Sequence, residues 1–333
     1  MATPSAVRAL SVTTWRTSVR PWLALLLMGV AAFVLGVFFF ATISQLYFWT
    51  TVAETVLFAT AVNLLFGQTG MLSFGQAAYF GIGAYAVGLL VPRDLNPLLM
   101  LAISTLAGGL AAVVVGLITL RTTELVFAML TLGFGMALYS ITFHVQAVGG
   151  ENGIVGIIAP HLFWIDLGDS HALWVFTTVV AGAGMAFLWV VAHSPFGRTL
   201  KMIRDDAARA ENLGIPVFRY RLAAFTMSGA VCGLAGCLYA WAQNVASPDA
   251  LFWTTSGTPV IVSLLGGTGF FFGPAVGAIV YVYATNTLSQ MTPAWIFYVG
   301  VGFLVVVLLA PDGIVGGLQR LWHLRRRRRR IQT

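Results

Sequence analysis

Lysine is almost absent from this sequence. Lys201 is the single lysine in 333 residues. A nucleotide-binding P-loop needs a lysine behind a glycine-rich turn to reach the phosphates. The RTLKM context of Lys201 offers no such turn, so ATP binding by that route is excluded. Charge of either sign is scarce as well. Asp, Glu, Lys and Arg together make up 9% of the chain, against about 25% in ordinary soluble domains. The two cysteines, Cys232 and Cys237, are too few for a disulfide framework. They sit inside an apolar segment and read as small packing residues. The five histidines form no HExxH pair and no zinc-type spacing with cysteine. Only His161, Asp166, Asp169 and His171 crowd into one loop, the one weak candidate for an enzyme site.

What is present is apolar. Hydrophobic residues are 59% of the chain, and the mean hydropathy is +0.88. No water-soluble fold can bury that much apolar surface, which excludes a cytosolic enzyme, a secreted domain and a disordered chain. The bilayer must be the solvent for most of it. The 36 glycines suit closely packed membrane helices. A bilayer core of about 30 Å takes about 20 apolar residues per helix. The expected fold is therefore an all-α integral membrane protein of about ten transmembrane segments. They are read at 22–43, 49–66, 70–91, 98–120, 124–143, 172–192, 222–242, 251–267, 273–289 and 294–310. The first is too long for a signal-peptide core and lacks a small-residue cleavage site, so it reads as a true span. The eighth is short and ends at Gly266-Gly267. Either it crosses steeply or it is a half-helix followed by broken backbone, which needs protein or a cavity around it.

The basic residues orient this scheme. With the N-terminus inside, 17 of the 18 Lys and Arg residues fall on the cytoplasmic face, as the positive-inside rule asks. Only Arg93 falls outside, with the 144–171 connection. The expected organisation is a cytoplasmic arm at 1–21, membrane segments over 22–192, a cytoplasmic loop at 193–221, further segments over 222–310, and a cytoplasmic tail at 311–333. The run Arg325 to Arg330 reads as a topology anchor near anionic membrane lipid. Nucleic acid is not an expected partner, since no aromatic interleaving or folded module accompanies the run.

Three blocks carry chemistry. The first, NLLFGQTGMLSFGQAAYFGIGAYAVGLL at 63–90, sets Asn63, Gln68, Thr69, Ser73 and Gln76 among Gly67, Gly70 and Gly75. Neutral hydrogen-bonding groups beside broken helix can build a mid-membrane path without burying charge; tight packing with internal polar satisfaction is the alternative. The second block contains Gly266, Gly267 and Gly269. GQTGMLSFGQA at 67–77 and GGTGFFFGPA at 266–275 both read G-x-T-G, then Gly, then x-Ala. This is a weak internal repeat of the kind that points to a transport path. The third is the polar loop 194–221. From Phe196 to Leu213 it predicts one amphipathic helix with a stripe through Leu200, Ile203, Ala207, Ala210 and Leu213, capped by Ser194 and ended by Gly214. It suits lipid contact, a plain connection or protein docking. Glu54 is the sole ionisable residue well inside a segment, a functional candidate by default. It stands within about 8 Å of the segment start by helix rise, so the expectation is an interfacial or structural role. So few intramembrane carboxylates argue for energy supplied from elsewhere.

At this point the sequence resembles the LivM-type permeases of branched-chain amino acid ABC importers, from about residue 50 to 317. The stretches that carry the likeness are GQTGMLSFGQAAYFGIGAY, ELVFAMLTLGFG, GGENG, SPFGRTLKMIRDDAARAENLGI, YRLAAFTMSGAVCGLAGCLYA, LLGGTGFFFGPAVGA and LAPDGIVGG. Val148, where family members often have Thr, and the arginine tail depart from the pattern. The resemblance implies an importer-type permease with Gly-interrupted helices, not an enzyme, in a bacterial inner membrane with both termini cytoplasmic. Its implied partners are a LivH-type permease subunit, two cytoplasmic ATPase subunits that bind ATP and Mg, and an extracytoplasmic substrate-binding protein. No cofactor belongs to this chain. The implied ATPase-coupling element is 204–214, with Arg204, Asp205, Asp206, Ala207, Arg209, Glu211 and Gly214. The implied cargo is a branched-chain or other hydrophobic amino acid. Relatives of the same family are similar to importers of urea, amides and aromatic or other carboxylates. A self-powered carrier and an integral-membrane enzyme are the rivals from other classes.

Overall fold

The computed structural model describes residues 42–90, 95–161, 166–309 and 313–317. The expected first span, the N-terminal arm, Arg93 and the arginine run lie outside the described residues, apart from the last two positions of that span.

The first described helix, α1 (Ile43–Thr69), is long because nothing interrupts it for 27 residues. The Thr42 backbone N–H donates to the Gln45 side chain at 3.0 Å, satisfying one orphan donor of its first turn. Gly70, at φ +75°, ends it in the left-handed conformation, which glycine adopts without a Cβ clash. Residues 70–75 are non-helical, and α2 (Gln76–Leu90) follows. Then come α3 (Pro97–Thr119), α4 (Glu124–His144) and α5 (Ser170–His193). Short α6 (Pro195–Asp205) and α7 (Ala207–Asn212) lead into α8 (Val217–Gln243). The chain continues through α9 (Trp253–Gly266), α10 (Gly273–Met291) and α11 (Trp295–Leu309). Among the described residues, α1, α3, α4, α5 and α8 are long and apolar enough to cross a membrane. The protein is thus an all-α, multi-pass membrane protein, and nine of the ten expected segments coincide with helices.

Two helices form the centre. α1 packs against α5, α8, α9 and α10, and α8 packs against α1, α2 and α3. Glycine makes the α8 contacts possible. A Cβ on Gly236 would run into the Phe80 carbonyl of α2, and one on Gly83 would strike Gly233 of α8. Backbones that touch this closely gain dispersion contacts that no larger residue permits. Around this seam Trp241, Phe225, Tyr79 and Leu57 are fully buried. By contrast α4 and α11 carry rows of exposed large apolar residues, among them Leu125, Met129, Ile296, Phe297 and Leu308. In water such rows would drive aggregation; they suit lipid or another membrane subunit.

Contacts define two ends. At one, Arg121 stands over the Phe218 ring at 5.7 Å, and Arg221 pairs with Glu124 at 3.9 Å. At the other, Tyr47 donates to Gln243 at 2.6 Å, and the two-residue strands β1 (Ile154–Val155) and β2 (Val245–Ala246) pair antiparallel. The GGENG turn feeds β1 with Gly149, Gly150 and Gly153 all at positive φ.

Two expectations change, and one open alternative is decided. The helix expected from Phe196 to Leu213 is broken at Asp206, which is extended (φ −162°, ψ 97°) and caps α7 by accepting from the Arg209 N–H. The 251–267 segment is the broken alternative: α9 has 14 residues, about 21 Å of rise, and stops at Gly267 with φ +111°. Glu54 does not snorkel. Its helix begins at Ile43, six residues before the expected start, and the side chain is 4% exposed.

Candidate functional site: the junction of two broken helices and a polar loop

The two glycine blocks, 199 residues apart in sequence, meet in space. In each, a helix ends on glycine, a short non-helical stretch follows, and a new helix starts. α1 breaks at Gly70 and resumes as α2; α9 breaks at Gly267 and resumes as α10. The breaks touch. A Cβ on Gly67 would lie 2.5 Å from the Thr268 carbonyl oxygen, so only glycine fits there. Ser263 of α9 also donates to the Ala59 carbonyl of α1 at 3.3 Å. Gly266 and Gly273 close the second break on itself, and a Cβ on Gly313 would press on Gly267. Gly269 has open space around it.

The third block reaches the same place. Arg204, near the end of α6, donates through Nη1 to the Gly67 carbonyl at 2.6 Å. The last four carbonyls of a helix have no partner within it, and a cation is favourable at that end. The guanidinium therefore supplies what the C-terminus of α1 lacks. Gly70 leaves room for it, since a Cβ there would lie 2.9 Å from the Arg204 Cγ. The polar loop, the end of α1 and the α9–α10 break thus share one small volume.

The polar residues of the first block are all inside protein. Asn63, Gln68, Thr69, Ser73 and Gln76 are buried. Part of their hydrogen bonding is local: Thr69 donates to the Leu65 carbonyl at 2.7 Å, and Ser73 accepts from the Gly75 N–H at 3.3 Å. Gln76 is the hub of a cross-helix set. Its Oε1 accepts from Ser228 at 3.4 Å and from the Cys232 thiol at 3.3 Å. The one Ser228 proton is shared, chiefly with the Ala61 carbonyl at 2.7 Å and more weakly with the Gln76 oxygen, so one hydroxyl ties α8 to both α1 and α2. Cys232, read as a packing residue, thus touches a polar group, a contact that spacing alone does not reveal. Asn63 Oδ1, Gln68 Oε1 and Gln76 Nε2 are buried without a partner. Amides left this way in an interior ask for water or a passing polar group.

The 204–214 stretch divides into an inner and an outer face. Leu200, Ile203 and Ala210 are buried, and Ile203 and Ala210 pack with Val217 of α8. Ala207 lies at the edge of that cluster. Leu213, expected on the same stripe, is 67% exposed, because α7 ends at Asn212 and Leu213 stands just past that end. Asp205, Arg209, Glu211 and Gly214 are also on the outside. Asp206 pairs with Arg209 at 3.4 Å on this face. Gly214 ends α7 at φ +79°.

In the loop beyond α4, the described candidates His161, Asp166 and Asp169 make local contacts. His161 lies 3.5 Å from Asp166 with both side chains largely exposed. Asp169 is spent on capping α5, accepting from the Ala172 N–H at 3.3 Å. Among the described residues no group of three or more His, Cys, Asp and Glu can hold a metal.

Comparison with known proteins adds to this geometry. The model of the family described as branched-chain amino acid transport system / permease component matches residues 44–309. The high-affinity branched-chain amino acid transport system permease protein LivM of Escherichia coli K12 is 26% identical over 300 residues, covering 83% of this chain and 69% of its own length. The probable branched-chain amino acid transport permease protein LivM of Methanocaldococcus jannaschii is 25% identical, covering 82% of this chain and 93% of its own. The probable LivH permease of the same organism is 25% identical, covering 78% and 88%. No solved structure matches the chain.

Proposed function

We propose, from the premise that this chain belongs to the branched-chain amino acid transport system permease family, that it carries a branched-chain or other hydrophobic amino acid inward across a bacterial inner membrane. It is a permease component of an ABC transporter and not an enzyme. In our reading it pairs with a LivH-type subunit. Two cytoplasmic ATPases, which hold the ATP and Mg, dock at the α6–α7 end, and an extracytoplasmic binding protein delivers the solute at the β1–β2 end. The resulting cycle is alternating access driven by hydrolysis in the partners.

One observation carries this reading: the Arg204 guanidinium on the Gly67 carbonyl. A push on α7 from below passes through α6 to the end of α1, and from there to the α9–α10 break beside it. Broken helices respond to such a push because they hinge where backbone hydrogen bonds are already missing. The outer face of α7 is the docking surface. Leu213 supplies an apolar anchor, Asp205, Asp206, Arg209 and Glu211 form its rim, Ala207 sits at the edge against the membrane domain, and Gly214 turns the chain away toward α8. Helix-in-groove contacts use apolar anchors with a polar rim in this way. Asn63, Gln68, Thr69, Ser73 and Gln76, with the glycines at 67, 70, 75, 266, 267 and 269, shape the solute path at the break. The unpartnered amide atoms there support that role.

The test is reconstitution of the chain with its permease, ATPase and binding-protein partners in vesicles. ATP-dependent accumulation of labelled leucine or a related apolar amino acid is expected. Accumulation of only urea, amides or non-amino carboxylates would replace the substrate reading. Accumulation without ATPase subunits would overturn the mechanism.

A further inference from the structure

Glu54 stands eleven residues into α1, about 16 Å from Ile43 by helix rise. It is buried, and its Oε2 has no hydrogen-bond partner. An unpaired carboxyl in a membrane helix is expensive and persists where something compensates it. Beside it opens a cavity of about 210 Å³ between α1, α2, α8 and the start of α9. One wall is aromatic: Phe58 stacks on Phe80 at 4.6 Å between centroids, and Phe80 meets Tyr239 at 5.2 Å. Asp249, exposed, stands at the rim. Thr255 brings in the first turn of α9, whose N-cap Phe252 makes no side-chain cap. A 14-residue helix with an uncapped N-terminus favours a negative group there.

The cavity therefore offers a buried carboxyl, an aromatic wall and a positive helix end within one small space. That is the outline of a zwitterion with an apolar side chain. We propose that it is a binding site for the amino acid in transit. Glu54 receives the α-ammonium group, the Phe58–Phe80–Tyr239 wall receives the side chain, and the α9 N-terminus faces the carboxylate. The inference rests on the reading above that the cargo is a hydrophobic amino acid. It adds that this chain itself, and not only a delivery protein, recognises the ammonium group.

The experiment uses the assembled permease–ATPase complex in two settings. In vesicles with binding protein, leucine uptake is measured. In detergent without binding protein, binding of labelled leucine is measured with two competitors: 3-methylbutylamine, which keeps the ammonium group, and 4-methylpentanoate, which keeps the carboxylate. The amine is expected to compete in the wild type. Glu54→Gln is expected to weaken leucine binding about tenfold or more, as loss of one charge-assisted hydrogen bond implies, and to abolish competition by the amine. Glu54→Asp is expected to restore part of both. Co-purification of all subunits with Glu54→Gln separates this from a folding defect. If the wild type takes up no leucine in vesicles, the cargo reading fails. If it takes up leucine but the complex binds none, or if Glu54→Gln binds leucine and amine as the wild type does, the Glu54 site is overturned.

Discussion

At the scale of single residues, glycine decides where this chain can be solid and where it must bend. Gly236 lies against the Phe80 carbonyl, with no room for a methyl group, whereas a Cβ on Gly133 in α4 would meet nothing within 4 Å. Overpacking of a tight contact costs about 1–3 kcal/mol, while removing a glycine from an open helix position gains about 0.5–1 kcal/mol. Gly236→Val is therefore expected to lower the thermal stability of the purified complex, and Gly133→Ala to leave it equal or higher. Equal melting of the two variants would mean that the α2–α8 seam is looser than its geometry. Arg204 is the other decisive residue. Replacing it with Met keeps the aliphatic stem over Gly70 but removes a charge-assisted hydrogen bond of about 1.5–3 kcal/mol. The expected outcome is normal assembly and ATP hydrolysis, with leucine uptake per ATP reduced about tenfold. Uptake and hydrolysis falling in parallel would make Arg204 part of the ATPase contact instead. Neither role is visible in the sequence. Motif resemblance puts Arg204 in the stretch proposed for coupling, but its acceptor, the Gly67 carbonyl, is 137 residues away and carries no side-chain signal.

At the scale of elements, hydrophobic run length located nine helices, because in a bilayer apolarity and span are the same requirement. The G-x-T-G pair at 67–70 and 266–269 marked both breaks, since Gly70 and Gly267 both end their helices at positive φ, which glycine adopts without a Cβ clash. Periodicity failed in the polar loop. Residues 196–213 keep the three-and-four spacing of one helix, yet Asp206 stops it by capping the next turn with its own carboxylate. The second piece is also too short to carry the stripe to its end: Ala210 inside α7 goes inward, and Leu213, just past Asn212, is split off and goes outward. The split makes the docking surface testable. Leu213→Asp is expected to leave membrane insertion and the α6–α8 packing intact but to lose most co-purifying ATPase. Ala210→Leu, which overfills the Ile203–Val217 cluster, is expected to reduce the amount of folded permease before any partner is added. If Leu213→Asp retains full ATPase capture, the outer face of α7 is not the contact.

At the scale of the whole molecule, the distribution of charge and the packing of helices describe the same two ends by independent routes. All seven described basic residues, Arg121, Arg198, Lys201, Arg204, Arg209, Arg219 and Arg221, belong to the end where α6 and α7 lie. The contacts of Arg121 with Phe218 and of Arg221 with Glu124 join the short 120–123 turn to the polar loop. The opposite end, with β1, β2 and the 3.5 Å His161–Asp166 pair, has no described Lys or Arg. Moving this basic end across a charged membrane during insertion is opposed at every arginine, so the chain is expected to keep it cytoplasmic. Cysteine placed in a chain lacking Cys232 and Cys237 tests this with a membrane-impermeant thiol reagent. Cys232→Ser and Cys237→Ala give the background, since both thiols are buried and the first already donates to Gln76. His161→Cys is expected to react in intact cells. Arg209→Cys, whose side chain is 78% exposed, is expected to react only after the membrane is opened. Labelling of Arg209→Cys from outside would invert the molecule. The Arg204–Gly67 contact would then face the solute-delivery side, and ATPase docking on α7 would fall with it.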